Sequence, residues 1–164
     1  MRAILRMGLV FGVIGGAFEV ALQVIAAYVA HESGTSTFTR YVSTAISFLI
    51  IGGAARHLAR ERGTTTPGWQ VGGVIGAVTA LIGSLGGRLI ASASPVGQAA
   101  LAHLSAPDRQ LANDPGFVAA VLVAELGTMT LFGALIGWLA AWGAVRFGGP
   151  KGGTRGGPPN GRVR

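Results

Sequence analysis

The chain has 164 residues, half of them hydrophobic and only 12% charged, where a soluble domain carries about 25%. It has no cysteine, which excludes disulfides, thiol chemistry and any Cys-based metal site. Its net charge of +7 is gathered around long apolar runs, so the reading is orientation in a bilayer, and nucleic acid is not expected as a partner.

The first apolar run, about 7–30, is long enough to cross, since a span takes about 20 apolar residues. Arg2 and Arg6 precede it, and Glu19 interrupts it. A cleavable signal peptide is the rival reading, with the two arginines as its n-region. The length of the run and the embedded carboxylate argue against that. At 100° per residue, Gly8, Gly12, Gly15, Gly16, Glu19, Gln23 and Ala26 share an arc of about 100°. That face is small and polar, which predicts contact with protein rather than lipid.

A polar loop, HESGTSTFTR (31–40), leads to a second span of about 39–57, the weakest of the set because its uninterrupted apolar part is short. LARERGTTTPG (58–68) then forms a short basic loop with a Pro-Gly turn signal. The third span, about 69–93, places Gly72, Gly76, Thr79, Gly83 and Gly87 on one narrow face, and Arg88 near its far end. Its start, GWQVGGVIGA (68–77), lines up with GLVFGVIGGA (8–17). Duplication of a two-helix unit and chance similarity of Gly/Ala/Val-rich spans both remain open.

In the next loop, VGQAALAHL (96–104) predicts one short interfacial helix that Pro107 stops. The fourth span, about 116–146, carries Glu125, Gly133 and Gly137. The tail, 147–164, is basic, Gly/Pro-rich and nearly without apolar residues, so it is predicted to be disordered and attracted to anionic lipid.

The expected fold is therefore an all-α, polytopic membrane protein: a bundle of four transmembrane helices with Gly-rich helix interfaces, carried by Gly8, Gly12, Gly16, Gly72, Gly76, Gly83, Gly133 and Gly137. Ten of the thirteen basic residues fall on the side of both termini; Arg40, Arg88 and Arg109 fall on the other. The positive-inside rule then puts both termini in the cytoplasm. Tyr28 and Tyr41 are expected at the outer interface, and Trp69, Trp138 and Trp142 toward the inner one. Abundant Gly, Ala and Arg with little Lys suggest a bacterial inner membrane. The expected partners are the bilayer and, from the small faces, further copies of the chain.

A charge at the bilayer centre costs about 2.5–3.5 kcal/mol on insertion scales, so embedded polar residues face inward and are paired or used. Glu19 lies roughly 16 Å in from Ala30 and Glu125 roughly 14 Å in from Gly116, at about 1.5 Å per residue. Three assignments follow. Arg88 pairs with Glu125 while Glu19 is protonated and hydrogen-bonded; or Glu19, with Gln23 and Glu125, binds a proton or a cationic substrate; or a metal or partner protein is held there. The metal has little support, because His31, His57 and His103 all lie in loops or at interfaces. No cofactor is expected. GxSxG, HExxH and P-loop patterns are absent, and no enzymatic activity is expected.

The stretch GGAFEV (15–20) resembles the segment around the membrane-embedded glutamate in the first span of small multidrug resistance transporters, which also have four short spans. The likeness is confined to this stretch. The long third loop, the basic tail and the second buried glutamate depart from that family's pattern. What the resemblance implies is a proton or cation role for Glu19. Against this stands the plainer expectation, a non-catalytic structural or accessory bundle whose polar residues serve packing.

Overall fold

The structure, a computed structural model, describes residues 1–28 and 37–148. Among the described residues six helices follow one another: α1 (Arg2–Tyr28), α2 (Thr37–Arg62), α3 (Thr66–Ala93), α4 (Pro95–Ala102), α5 (Ala106–Asn113) and α6 (Pro115–Phe147). The protein is all-α in these residues, and α1, α2, α3 and α6 are long and apolar enough to cross a membrane. The polar loop around His31 and the tail from residue 149 lie outside the described residues.

The helix starts are written locally. Pro67, Pro95, Pro107 and Pro115 all stand in a first turn, where a missing N–H costs nothing. Before three of them an oxygen caps the turn. Ser94 accepts from the Gly97 amide, Ser105 from Asp108 and Asp114 from Phe117. Pro107 therefore opens α5 rather than merely stopping α4, and the connection holds two short helices where one was expected. The second helix also runs on beyond the expected span, to Arg62, its last turns carrying Arg60 and Arg62. Gly63, at φ 66°, ends it in the left-handed conformation, its amide bonded back to the Ala59 carbonyl at 2.8 Å.

Helices α2 and α3 pack together through the middle of the bundle, and α1 and α6 each lie against both of them. Burial is concentrated at the end that holds Met1 and the end of α6. Ile4, Ile51, Ala54, Ala55, Leu58, Val71 and Ile75 form one cluster there, with Ala59, Ala141 and Ala144 beside it. Trp69, Trp138 and Trp142 are half-exposed toward the same end, and Tyr28 and Tyr41 are exposed toward the α4–α5 end. Outward faces carry large exposed apolar side chains such as Leu9, Val13, Leu131 and Leu135, as lipid-facing surfaces require.

The α1–α3 contact is parallel and built from rows of i, i+4 residues. A Cβ on Gly8, Gly12 or Gly16 would fall 2.6 Å from Val74, Val78 or Ile82 respectively, so these side chains occupy the space glycine leaves. One turn further the sizes reverse: Gly86 of α3 receives Val20 of α1. The α3–α6 contact is antiparallel and closer still. Gly72 abuts the Gly133 carbonyl, Gly76 the Met129 carbonyl and Gly137 the Gly68 carbonyl, backbone against backbone.

Candidate functional site

The expected single face of α3 divides between two partners. Gly72 and Gly76 meet α6, whereas Thr79, Gly83 and Gly87 meet α1. The buried residues of α6 are Gly133, Gly137, Ala141 and Ala144, all in its later half. The earlier half is more open, and a cavity lies at the α4–α5 end of the bundle.

That cavity holds about 560 Å³. Its lining brings together Glu19 and Gln23 of α1, Arg88 of α3 and Glu125 of α6, the four embedded polar residues singled out by the sequence. Ser43, Thr44 and Ser47 of α2, Ser84 of α3 and Ser94 at the start of α4 add hydroxyls. A volume of this size is in the range of small-molecule sites.

Glu19 and Gln23 are held by the same row packing that joins the two helices. In the second row, Thr79 lies at Gly15, Gly83 at Glu19 and Gly87 at Gln23. A Cβ on Gly83 would fall 2.5 Å from Glu19 Oε2, and one on Gly87 2.5 Å from Gln23 Oε1. The two glycines make the room in which the two polar side chains lie. Thr79 Oγ1 donates to the Gly12 carbonyl at 3.2 Å, tying the helices one turn below. Gln23 Nε2 donates to the Gly83 carbonyl at 3.5 Å. Gln23 Oε1 and Ser84 Oγ are buried without a hydrogen-bond partner among the described residues, an arrangement that leaves polar capacity between the helices.

The expected pair of Arg88 with Glu125 does not form. Among the described residues the one ion pair is His57–Glu61, at 3.2 Å on the far end of α2. Arg88 and Glu125 are both exposed side chains on the cavity lining. Both line the same cavity without an ion pair between them. Of the hydroxyls within the spans, Thr79 reaches across to α1, while Thr128 and Thr130 bond back to Ala124 and Leu126. Ser43 and Ser94 escaped sequence reasoning. The Ser-x-Pro-free pattern around Ser43 carries no signal, but Ser94 before Pro95 is a readable helix cap.

Among the described residues no three His, Cys, Asp or Glu side chains gather as a metal site would need. The fold and the cavity define a multi-pass membrane protein of four spanning helices with a polar recess between them. Compared with known proteins, the chain matches no family model, no curated protein and no solved structure.

Proposed function

We propose that this chain is a small proton- or cation-coupled transporter, with Glu19 as the embedded carboxylate and Gln23 and Glu125 in the same binding space. The observation that carries this reading is the shared cavity. Two carboxylates from opposite sides of the bundle line one recess with a single arginine and several hydroxyls. A recess with that balance favours a positively charged guest, and an embedded ionisable group that lines a cavity is where ion and proton pathways are built. The ten basic residues on the terminal side support a chain inserted with both ends in the cytoplasm, and the composition supports a bacterial inner membrane. No enzymatic step belongs to this reading.

The test uses purified protein in weakly buffered detergent with a pH-sensitive dye and tetraphenylphosphonium as the probe cation. Wild type should release protons when the probe is added, and Glu19→Gln should not. Glu125→Gln should weaken the release. In liposomes, a pH gradient should drive uptake of the probe in wild type alone. Equal responses from wild type and Glu19→Gln would sink the proposal.

The second reading is the non-catalytic structural or accessory bundle. It draws on the backbone-to-backbone approach of α3 and α6, which is a device of assembly rather than transport. It expects no probe-coupled proton release from wild type and unchanged folding in Glu19→Gln.

A further inference from the structure

A second recess lies on the opposite, terminal half of the bundle, between α2 and α6. It holds about 580 Å³ and is lined by Phe48, Leu49, Leu139 and Phe147 as walls, with small residues beneath. It runs roughly 12 Å along the helices, from Phe48 to Arg56 on one side and Leu139 to Phe147 on the other, at about 1.5 Å per residue. Arg56 is the one charged residue on its lining.

The glycines of this groove differ from those at the helix contacts. A Cβ on Gly8, Gly72 or Gly83 would collide with a neighbouring helix, so helix contact accounts for them. A Cβ on Gly53 or Gly143 would meet nothing within 4 Å, and one on Gly52 only Ala140 Cβ at 3.8 Å. Packing among the described residues gives no reason for glycine at these three positions. Their effect is to keep a trough empty between two rows of large apolar side chains. Leu49 and Phe147, its rims, are 74% and 75% exposed.

We propose that this groove binds an anionic phospholipid, with an acyl chain along Gly52, Gly53 and Gly143 and the headgroup phosphate at Arg56. The charge at the mouth selects the headgroup. Arg56 has no acidic residue beside it on the lining, and Arg60, one turn on, lies next to Gly148 at the end of α6. A basic mouth on an apolar inter-helix groove is the arrangement that recognises anionic lipid headgroups. Arg56 sits six residues before the end of α2, so its long side chain reaches the headgroup level by snorkelling. The site is separate from the Glu19 cavity and stands independently of transport.

The experiment is native mass spectrometry of the full chain released from nanodiscs holding equal phosphatidylglycerol and phosphatidylcholine. Wild type should retain one phosphatidylglycerol, at least tenfold over phosphatidylcholine. Arg56→Gln should lose that preference and Arg56→Lys should keep it. Gly53→Leu extends into the trough from a Cβ with no neighbour within 4 Å, and should lose the bound lipid without lowering the thermal midpoint. Arg62→Gln, at the helix end, should behave as wild type. Millimolar inorganic phosphate should not displace the lipid; displacement would identify a free-anion site and overturn the proposal. Equal retention of both lipids, or wild-type retention by Arg56→Gln, would overturn it as well. So would a dimer that Gly53→Leu dissociates without altering lipid retention, because the groove would then hold a second copy.

Discussion

Replacing Gly72 with alanine tests the α3–α6 contact most directly. The added Cβ would lie on the Gly133 carbonyl, with its carbonyl carbon at 2.9 Å and Gly137 Cα at 3.1 Å. All of these are backbone atoms, so no rotamer change relieves the contact and the two helices must move apart. Overpacking of this kind costs about 1–3 kcal/mol. Alanine also recovers about 1 kcal/mol of helix propensity, which would mask part of the loss. Gly53→Ala removes that ambiguity, because its Cβ meets nothing and it collects the propensity gain alone. The difference between the two variants should therefore be about 1–3 kcal/mol, or between fivefold and a hundredfold or more in the unfolding equilibrium at about 1.4 kcal/mol per tenfold. Reversible unfolding in mixed micelles, followed by tryptophan fluorescence, measures it. If Gly72→Ala proves as stable as Gly53→Ala, the close backbone approach is not what joins α3 to α6.

Three further outcomes follow from the same geometry. Thr79→Val should lose the bond to the Gly12 carbonyl and about 0.5–1.5 kcal/mol, read in the same unfolding assay, with Ser retaining most of it. Gly83→Ala pushes on the free end of the Glu19 side chain rather than on backbone, so it should abolish probe-induced proton release while shifting the thermal midpoint less than Gly72→Ala does. Asp114→Ala removes the 2.8 Å cap on the Phe117 amide and should cost about 0.5–2 kcal/mol, with faster hydrogen exchange confined to the first turn of α6.

Four spanning helices were legible because length and apolarity of a run are one-dimensional properties, and so was the small polar face of α1, because a 3.6-residue period needs no partner to be seen. The ends of α2 were not, since arginines continue a helix as well as they end a span. Reading Pro107 as a stop missed Ser105, two residues before it, which makes the same proline a start. The shared face of Gly72, Gly76, Gly83 and Gly87 was found, but its division between α6 and α1 depends on how the helices cross. The missing Arg88–Glu125 pair has a similar cause: position along a helix says nothing about the lateral distance between side chains. The four polar residues singled out in the sequence line one cavity, and of the three assignments offered for them the Arg88–Glu125 ion pair does not form.

The lodging of Glu19 against Gly83 also has a consequence for how the chain is made. Gln23 and the Gly83 carbonyl it bonds are 60 residues apart, and α3 does not exist when α1 leaves the ribosome. At roughly 5–20 residues per second, α1 waits several seconds for the surface that will cover its carboxylate. During that interval its own apolar residues must hold it in the bilayer against a charge worth about 2.5–3.5 kcal/mol if ionised. The unbroken runs on either side of Glu19, LVFGVI before it and VAL after it, are what a helix needs to be inserted first and completed later.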